Sequence, residues 1–394
     1  MDDYQRISSQ EQLAELCGEI VDSDRVGFDT EFVSEDTFRP QLCLVQVVTD
    51  RCMSVVDPQE VEDLTPFWTA LAEGDHLTIA HAAREEINFS LNSTGRVPAN
   101  LFDTQLAAAF CTHEYPAAYA SVVTRILNKK AEKGEQRTDW RRRPLTDAQI
   151  NYALEDVRYL FELHERIALK VEKLGRTDWL AEETETFIDE VTAARTRQRW
   201  KRVSGIGNLA PRNLAIVREL WMWRQAEAER RDVPPRRVLR DDLIVELAKR
   251  KNAKPDKIRA VRGMNHRPVK NCIDDIANCV QRGLDASLDD IRPPRGKAMP
   301  PQLNLLGQVL VPAITSVCRK ANLATSLACT ATDIREMIAY QLDFGNAGKA
   351  DEAPTLARGW RKTLIGSLID DVLAGRKSIR IDDPHSEHPL DFVE

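Results

Sequence analysis

The stretch that most constrains this chain is Val26-Gly27-Phe28-Asp29-Thr30-Glu31-Phe32, a short apolar run carrying two acids. In an extended strand, side chains alternate faces, so Phe28, Thr30 and Phe32 share one side while Asp29 and Glu31 share the other. Two carboxylates crowded onto one patch are costly to keep ionised unless a cation lies between them. The pattern therefore has two readings. One is an edge strand with acids on its solvated face, and the other is half of a divalent-metal site.

At 394 residues the chain is long enough for two or three domains of about 100 to 200 residues each. No run approaches the roughly 18 consecutive apolar residues of a membrane span, and Met1-Asp2-Asp3-Tyr4-Gln5 is acidic rather than signal-like. A soluble, cytoplasmic protein with no membrane partner is expected. The eight cysteines, at 17, 43, 52, 111, 272, 279, 318 and 329, form no CxxC pair, so reduced and mostly buried thiols are expected. The net charge of -7 hides a division. Residues 1–194 carry 19 basic against 37 acidic residues, residues 195–300 carry 26 against 13, and residues 301–394 carry 10 against 12. A basic middle beside an acidic first half suits a polyanion held by one part and processed by another, although Arg-rich helix faces are also commonly just solvated.

Residues 7–24 read as a helix through Leu13, Leu16 and Ile20, followed by strands over 26–33, 41–48 and 52–57 that suggest an antiparallel meander. Helix, strand, helix, strand and helix then alternate over 61–72, 77–80, 83–91, 100–103 and 105–111, a βαβ rhythm that predicts an α/β mixed sheet. His81-Ala82-Ala83-Arg84-Glu85-Glu86 follows a strand end, where α/β sheets bind ligands. Thr146-Asp147-Ala148-Gln149 has the form of a capping box, and one long helix is expected to run from it through Ile167. On that helix Tyr152 and Asp156 are four residues apart and share a face. Just before it, Arg137, Arg141, Arg142 and Arg143 are candidates for phosphate contacts. Beyond 195 the chain becomes Arg-rich and helical, with a Pro-rich linker over 286–301. Asp242–Ala248 and Arg262-Gly263-Met264 are echoed by Asp333–Ala339 and Arg358-Gly359-Trp360, which suggests two similar helical domains.

Taken in order, Phe28-Asp29-Thr30-Glu31-Phe32, His81-Ala82-Ala83-Arg84-Glu85-Glu86 and Tyr152-Ala153-Leu154-Glu155-Asp156 resemble the three motifs of the DEDD exonuclease superfamily, in its ribonuclease D branch. Phe102-Asp103-Thr104-Gln105 and Arg137-Thr138-Asp139-Trp140 are similar to that family's intervening segments, and Tyr152-x-x-x-Asp156 resembles the tyrosine subclass. The resemblance implies a ribonuclease H-like mixed-sheet 3′-5′ exonuclease domain over 1–195. Two all-α HRDC-like domains are implied after it, a basic one over 208–285 and a near-neutral one over 302–378 suited to packing. An acidic tail over 379–394 completes the expected division.

The same resemblance implies that Asp29, Glu31, Glu86 and Asp156 hold two Mg²⁺ or Mn²⁺ ions at an RNA 3′ end, with Tyr152 orienting the attacking water. A tyrosine's ordinary pKa near 10 makes it a poor general base at neutral pH. RNA contacts are expected from His81, Arg141, Arg142, Arg143, Arg236 and Arg237, while Trp140 is read as core. The implied activity is that of a monomeric enzyme trimming single-stranded 3′ ends of tRNA precursors and other structured RNAs to nucleoside 5′-monophosphates. One departure matters. The family's second motif usually ends in Asp where this chain has Glu86, and the added methylene moves the carboxylate by about 1.5 Å. Either Glu86 reaches the site through another rotamer or activity falls, so an RNA-binding scaffold with a decayed site is an alternative. A DNA exonuclease is a third, because the same acids serve both polymers.

Overall fold

The computed structural model describes residues 4–130, 138–196, 199–264, 267–291, 300–343 and 353–394. In chain order the first part runs β1 (Tyr4–Ile7), α1 (Gln10–Asp22), β2 (Arg25–Val33), β3 (Gln41–Val48), β4 (Met53–Val56), α2 (Thr65–Glu73), β5 (Leu77–Ala80), α3 (Arg84–Thr94), β6 (Leu101–Asp103), α4 (Thr104–Ala109) and α5 (Tyr119–Leu127). It continues through α6 (Asp147–Arg158), α7 (Leu160–Lys173) and α8 (Thr177–Thr196). The six strands form one mixed sheet in the order β1-β4-β3-β2-β5-β6. β3 and β4 are antiparallel, β1 runs parallel to β4, and β2, β5 and β6 run parallel to one another.

Two readings of this part change. The helix expected from residue 7 begins at Gln10, where the Ser9 hydroxyl accepts the Gln12 N–H, and Tyr4–Ile7 is a strand instead. The single helix expected over 146–167 is two, because it breaks at Tyr159, whose backbone N–H is accepted by the Tyr119 hydroxyl at 3.1 Å.

β2 lies inside the sheet, and its two faces differ as the alternation requires. Phe28 packs edge-on against Phe67 and Trp68 of α2 on one side. On the other, Gly27 lies so close to α7 that a Cβ there would stand 2.6 Å from Val48 Cγ1 and 3.0 Å from Leu160 Cδ1. Only a residue without a side chain lets the helix approach the strand this closely.

The chain divides into two compact units, one made of Met1–Glu31, Cys43–Thr192 and Met299–Glu394, the other of Phe32–Leu42 and Ala193–Ala298. The second contains α9 (Pro211–Arg231), α10 (Pro235–Val238), α11 (Asp241–Arg250), α12 (Pro255–Arg259), α13 (Arg267–Lys270) and α14 (Ile273–Asp285). Its core joins Leu214, Val217 and Leu220 of α9 to Ile244 and Leu247 of α11 and to Ile276 and Val280 of α14. Within this unit the 32–42 segment is held by Asp36–Arg237 and Arg39–Glu229 ion pairs, each at 2.5 Å. Ile291 is buried in the same core, while most of the expected linker, residues 292–299, lies outside the described residues.

The C-terminal part of the first unit comprises α15 (Pro301–Lys320), α16 (Thr325–Ala328), α17 (Ala331–Gln341), α18 (Gly359–Arg361) and α19 (Ser367–Leu373). Leu310, Ile314, Leu327, Met337 and Trp360 share one buried cluster with Leu106, Phe110, Leu163 and Ile167 of the nuclease-like part. Of the two glycines in the sequence echo, Gly263, after α12, has φ 100°, and Gly359, at the start of α18, has φ 48°. The expected acidic tail is instead a hairpin of β7 (Ser378–Ile381) and β8 (Leu390–Val393). It is fixed to α15 by Ser316, which exchanges hydrogen bonds with the Leu390 backbone, and by the Lys320–Asp391 pair. None of the eight cysteines forms a disulfide. Among the described residues no helix is long and apolar enough to cross a membrane.

Candidate active site

The alternation along β2 that puts Phe28 in the core delivers Asp29 and Glu31 to the opposite face. α6 supplies the third acid. Its first turn is closed by the full capping box: Thr146 Oγ1 accepts the Gln149 N–H at 3.2 Å, and Gln149 Oε1 accepts the Thr146 N–H at 3.0 Å. From that fixed start, Tyr152 and Asp156 stack one turn apart, and the Tyr152 hydroxyl donates to the Asp156 carboxylate. Trp140 is buried, with its ring 6.2 Å from that of Tyr152, so it supports the tyrosine from the core. The result is a triad in which oxygens of Asp29, Glu31 and Asp156 all lie within 4.8 Å of one another.

Glu86 arrives from a third element. The turn between β5 and α3 is shaped by Asp103, whose Oδ1 accepts the Ala82 N–H at 3.0 Å and whose Oδ2 accepts the Ala83 N–H at 2.9 Å. The same carboxylate caps α4 by accepting the N–H groups of Gln105 and Leu106. This grip holds Ala82 at φ 59°, a conformation that a residue with a side chain rarely adopts unsupported. α3 therefore starts in one place, and Glu86 projects inward with only 4% of its surface exposed. Its Oε1 accepts a hydrogen bond from Thr30 Oγ1 at 2.6 Å.

Crowding acids in a partly buried site favours their neutral forms. Burial, then the charges of Asp156, Glu86 and Glu31, raise Asp29 well above the ordinary carboxylate range. Burial pushes Glu31 up to about 8, reinforced by Asp156 and Glu86. Glu86 rises to about 7 through burial, against the pull of the Thr30 hydroxyl, and Asp156 to about 7 through burial, against the Tyr152 hydrogen bond. The donors of this cluster are all carboxylate oxygens, the set that hard divalent cations take. The residues present fit a divalent metal.

The expected RNA contacts divide sharply. His81 is engaged at both ring nitrogens, Nδ1 with Thr104 Oγ1 at 2.9 Å and Nε2 with the Ala117 carbonyl at 3.0 Å, which makes it a brace rather than an RNA ligand. Arg143 is also a brace: it grips Asp57 through two hydrogen bonds, at 2.5 and 2.7 Å, and donates to the carbonyls of Trp140 and Cys43. Arg141 folds onto Asp139 at 2.8 Å. Arg142 is 85% exposed, with Asp139 no nearer than 3.7 Å. Arg236 is 79% exposed, 3.6 Å from Asp241, whereas Arg237 is taken up by Asp36. Arg137 lies outside the described residues. Sequence reasoning missed the roles of Thr30, Asp103 and Tyr119. Asp103 stood in a quoted motif, but nothing local marks a carboxylate that serves a turn twenty residues earlier.

A family profile described as 3′-5′ exonuclease matches residues 4–172, and one described as HRDC domain matches residues 213–280. Fold, acidic cluster and profiles together define a 3′-5′ exonuclease joined to an HRDC domain. The ribonuclease D of Nitrobacter hamburgensis is 32% identical over 387 residues, covering 95% of this chain and 97% of that one. That of Acidiphilium cryptum is 32% identical over 371 residues, covering 92% and 91%. The crystal structure of Escherichia coli RNase D has the same fold, with a TM-score of 0.81 and 24% identity over 95% of this chain and 99% of that one. The chain belongs to the ribonuclease D family of 3′-5′ exoribonucleases.

Proposed function

We propose that this protein shortens structured RNAs, tRNA precursors among them, one nucleotide at a time from a single-stranded 3′ end, releasing nucleoside 5′-monophosphates. The observation that carries the reading is the meeting of Asp29, Glu31 and Asp156 within 4.8 Å beside a tyrosine bound to one of them. Asp29, Glu31 and Asp156 would hold divalent ions, two of them Mg²⁺ or Mn²⁺, with Glu86 contributing from α3. When bound, such a pair supplies Lewis acidity at the scissile phosphate and stabilises charge on both attacking and leaving oxygens.

The chain's own residues do the rest. Tyr152 donates to Asp156, which leaves its hydroxyl oxygen to accept from a water and set that water's direction of approach. Burial and mutual repulsion raise the proton affinity of these acids, so ions binding there take the place of protons. Hydrolysis at a 3′ end needs the phosphate and the terminal sugar, so the acids select no base. The crystal structure of Escherichia coli RNase D is described as that of an exoribonuclease involved in structured RNA processing, which supports the substrate class. We further propose that residues 208–285 form the basic RNA-holding module, with Arg236 and the strongly exposed Arg142 as phosphate contacts.

The test is mononucleotide release from 3′-labelled single-stranded RNA with Mn²⁺ or Mg²⁺, beside a DNA oligonucleotide of matched sequence. Release from RNA that disappears in Asp29→Ala is the expected result. No release with any divalent metal would sink the proposal, and preferential release from DNA would replace it with a DNA exonuclease.

A further inference from the structure

Glu86 is longer by one methylene than the Asp usual at its motif position, and the surplus must be accommodated. The structure shows how. Thr30 Oγ1 donates to Glu86 Oε1 at 2.6 Å, and the Glu86 carboxylate also folds back onto its own backbone N–H. Both side chains are buried, Thr30 at 5% exposure and Glu86 at 4%, so water cannot replace the hydroxyl at this contact. Thr30 is the residue between Asp29 and Glu31, on the opposite face of β2. One strand thus carries two acids of the triad and the anchor of the fourth acid on three consecutive residues. Glu86 is near enough for its charge to bear on both Asp29 and Glu31.

We propose that Thr30 is a positioning residue for ion binding: its hydroxyl fixes Glu86 in a folded conformer that keeps the longer carboxylate beside the Asp29–Glu31–Asp156 cluster. This rests on the ion-binding reading given above. A glutamate free to rotate about its extra bond would spread its carboxylate over several positions and lose affinity to side-chain entropy. A glutamate tied at one oxygen keeps the other available in a single place. Residues that orient ligands in this way typically contribute about 10- to 100-fold to metal affinity.

The experiment titrates Mn²⁺ alone into full-length protein freed of metal with EDTA, reading free Mn²⁺ by electron paramagnetic resonance. Near-ultraviolet circular dichroism confirms that each variant is folded. Thr30→Val, nearly isosteric, is expected to weaken Mn²⁺ binding by about 10- to 100-fold, while Thr30→Ser, which keeps the hydroxyl, retains wild-type affinity. In a Glu86→Ala background Thr30→Val should produce no further loss, because the two residues act through one contact. Unchanged or tighter binding by Thr30→Val overturns the inference, as does an equal loss in the Glu86→Ala background, which would mean a packing role. Wild-type protein that takes up no Mn²⁺ overturns the ion-binding reading itself, so the two failures are distinguishable.

Discussion

Arg142 and Arg143 are neighbours in sequence with opposite surroundings, and their substitution should separate binding from stability. Arg143 is mostly buried against Asp57, which is itself only 3% exposed. Removing one partner of such a pair leaves the other charge buried and uncompensated, which costs about 3 to 5 kcal/mol. Arg143→Ala should lower the unfolding free energy by that amount in urea titration. Arg142→Ala should leave stability unchanged and reduce the salt slope of RNA binding by about one phosphate contact. An unchanged slope would remove Arg142 from the RNA path. In sequence the arginines looked equivalent because charge is visible in a local run, while the carboxylate that claims Arg143 lies 86 residues away. Thr30 was equally hidden: alternation revealed which face it occupies, and nothing in the strand revealed that Glu86 would come to meet it.

Among the elements, α6 bears Tyr152 and Asp156, and the capping box at its start fixes where they project. Thr146→Ala removes the acceptor for the Gln149 N–H, at a cost of about 1 kcal/mol. The expected outcome is a loss of that size in urea unfolding, with a Thr146→Ser variant close to wild type. This helix start, the strand bearing Asp29 and Glu31, and the βαβ alternation were all legible, because each rests on a period or a spacing contained in a few residues. The break at Tyr159 was not. Val157, Leu160 and Phe161 continue an apolar pattern across it, and the acceptor that favours the break is Tyr119, forty residues earlier. The edge strand Tyr4–Ile7 and the hairpin of β7 and β8 were missed for another reason. Strands of only four residues carry too little periodicity to stand out from a helix start or an acidic tail.

At the scale of the whole molecule, the acidic cluster should govern how stability varies with pH. Unfolded Glu and Asp titrate near 4, whereas in the folded, ion-free protein Glu31 titrates at about 8 and Glu86 and Asp156 at about 7. The folded state therefore binds more protons than the unfolded one between those limits. Stability from this source is fully present below about pH 4 and is lost as pH rises toward 8. Other groups shift the other way. Asp241, Asp371 and Asp391 are held below their ordinary values, and their contribution is complete by about pH 5. Burial lowers His76, His81 and His164, so their contribution grows as pH rises through about 6.5 and opposes the cluster. The clean readout is consequently a difference, melting temperature with saturating Mg²⁺ minus melting temperature in EDTA, in which the aspartates and histidines remote from the site cancel. Cations take the place of the protons, so this difference should widen steadily from pH 5 to pH 8. Asp29→Asn should flatten it. A difference that stays constant across that range in the wild type would show that the four acids do not share the burden of charge that their burial implies.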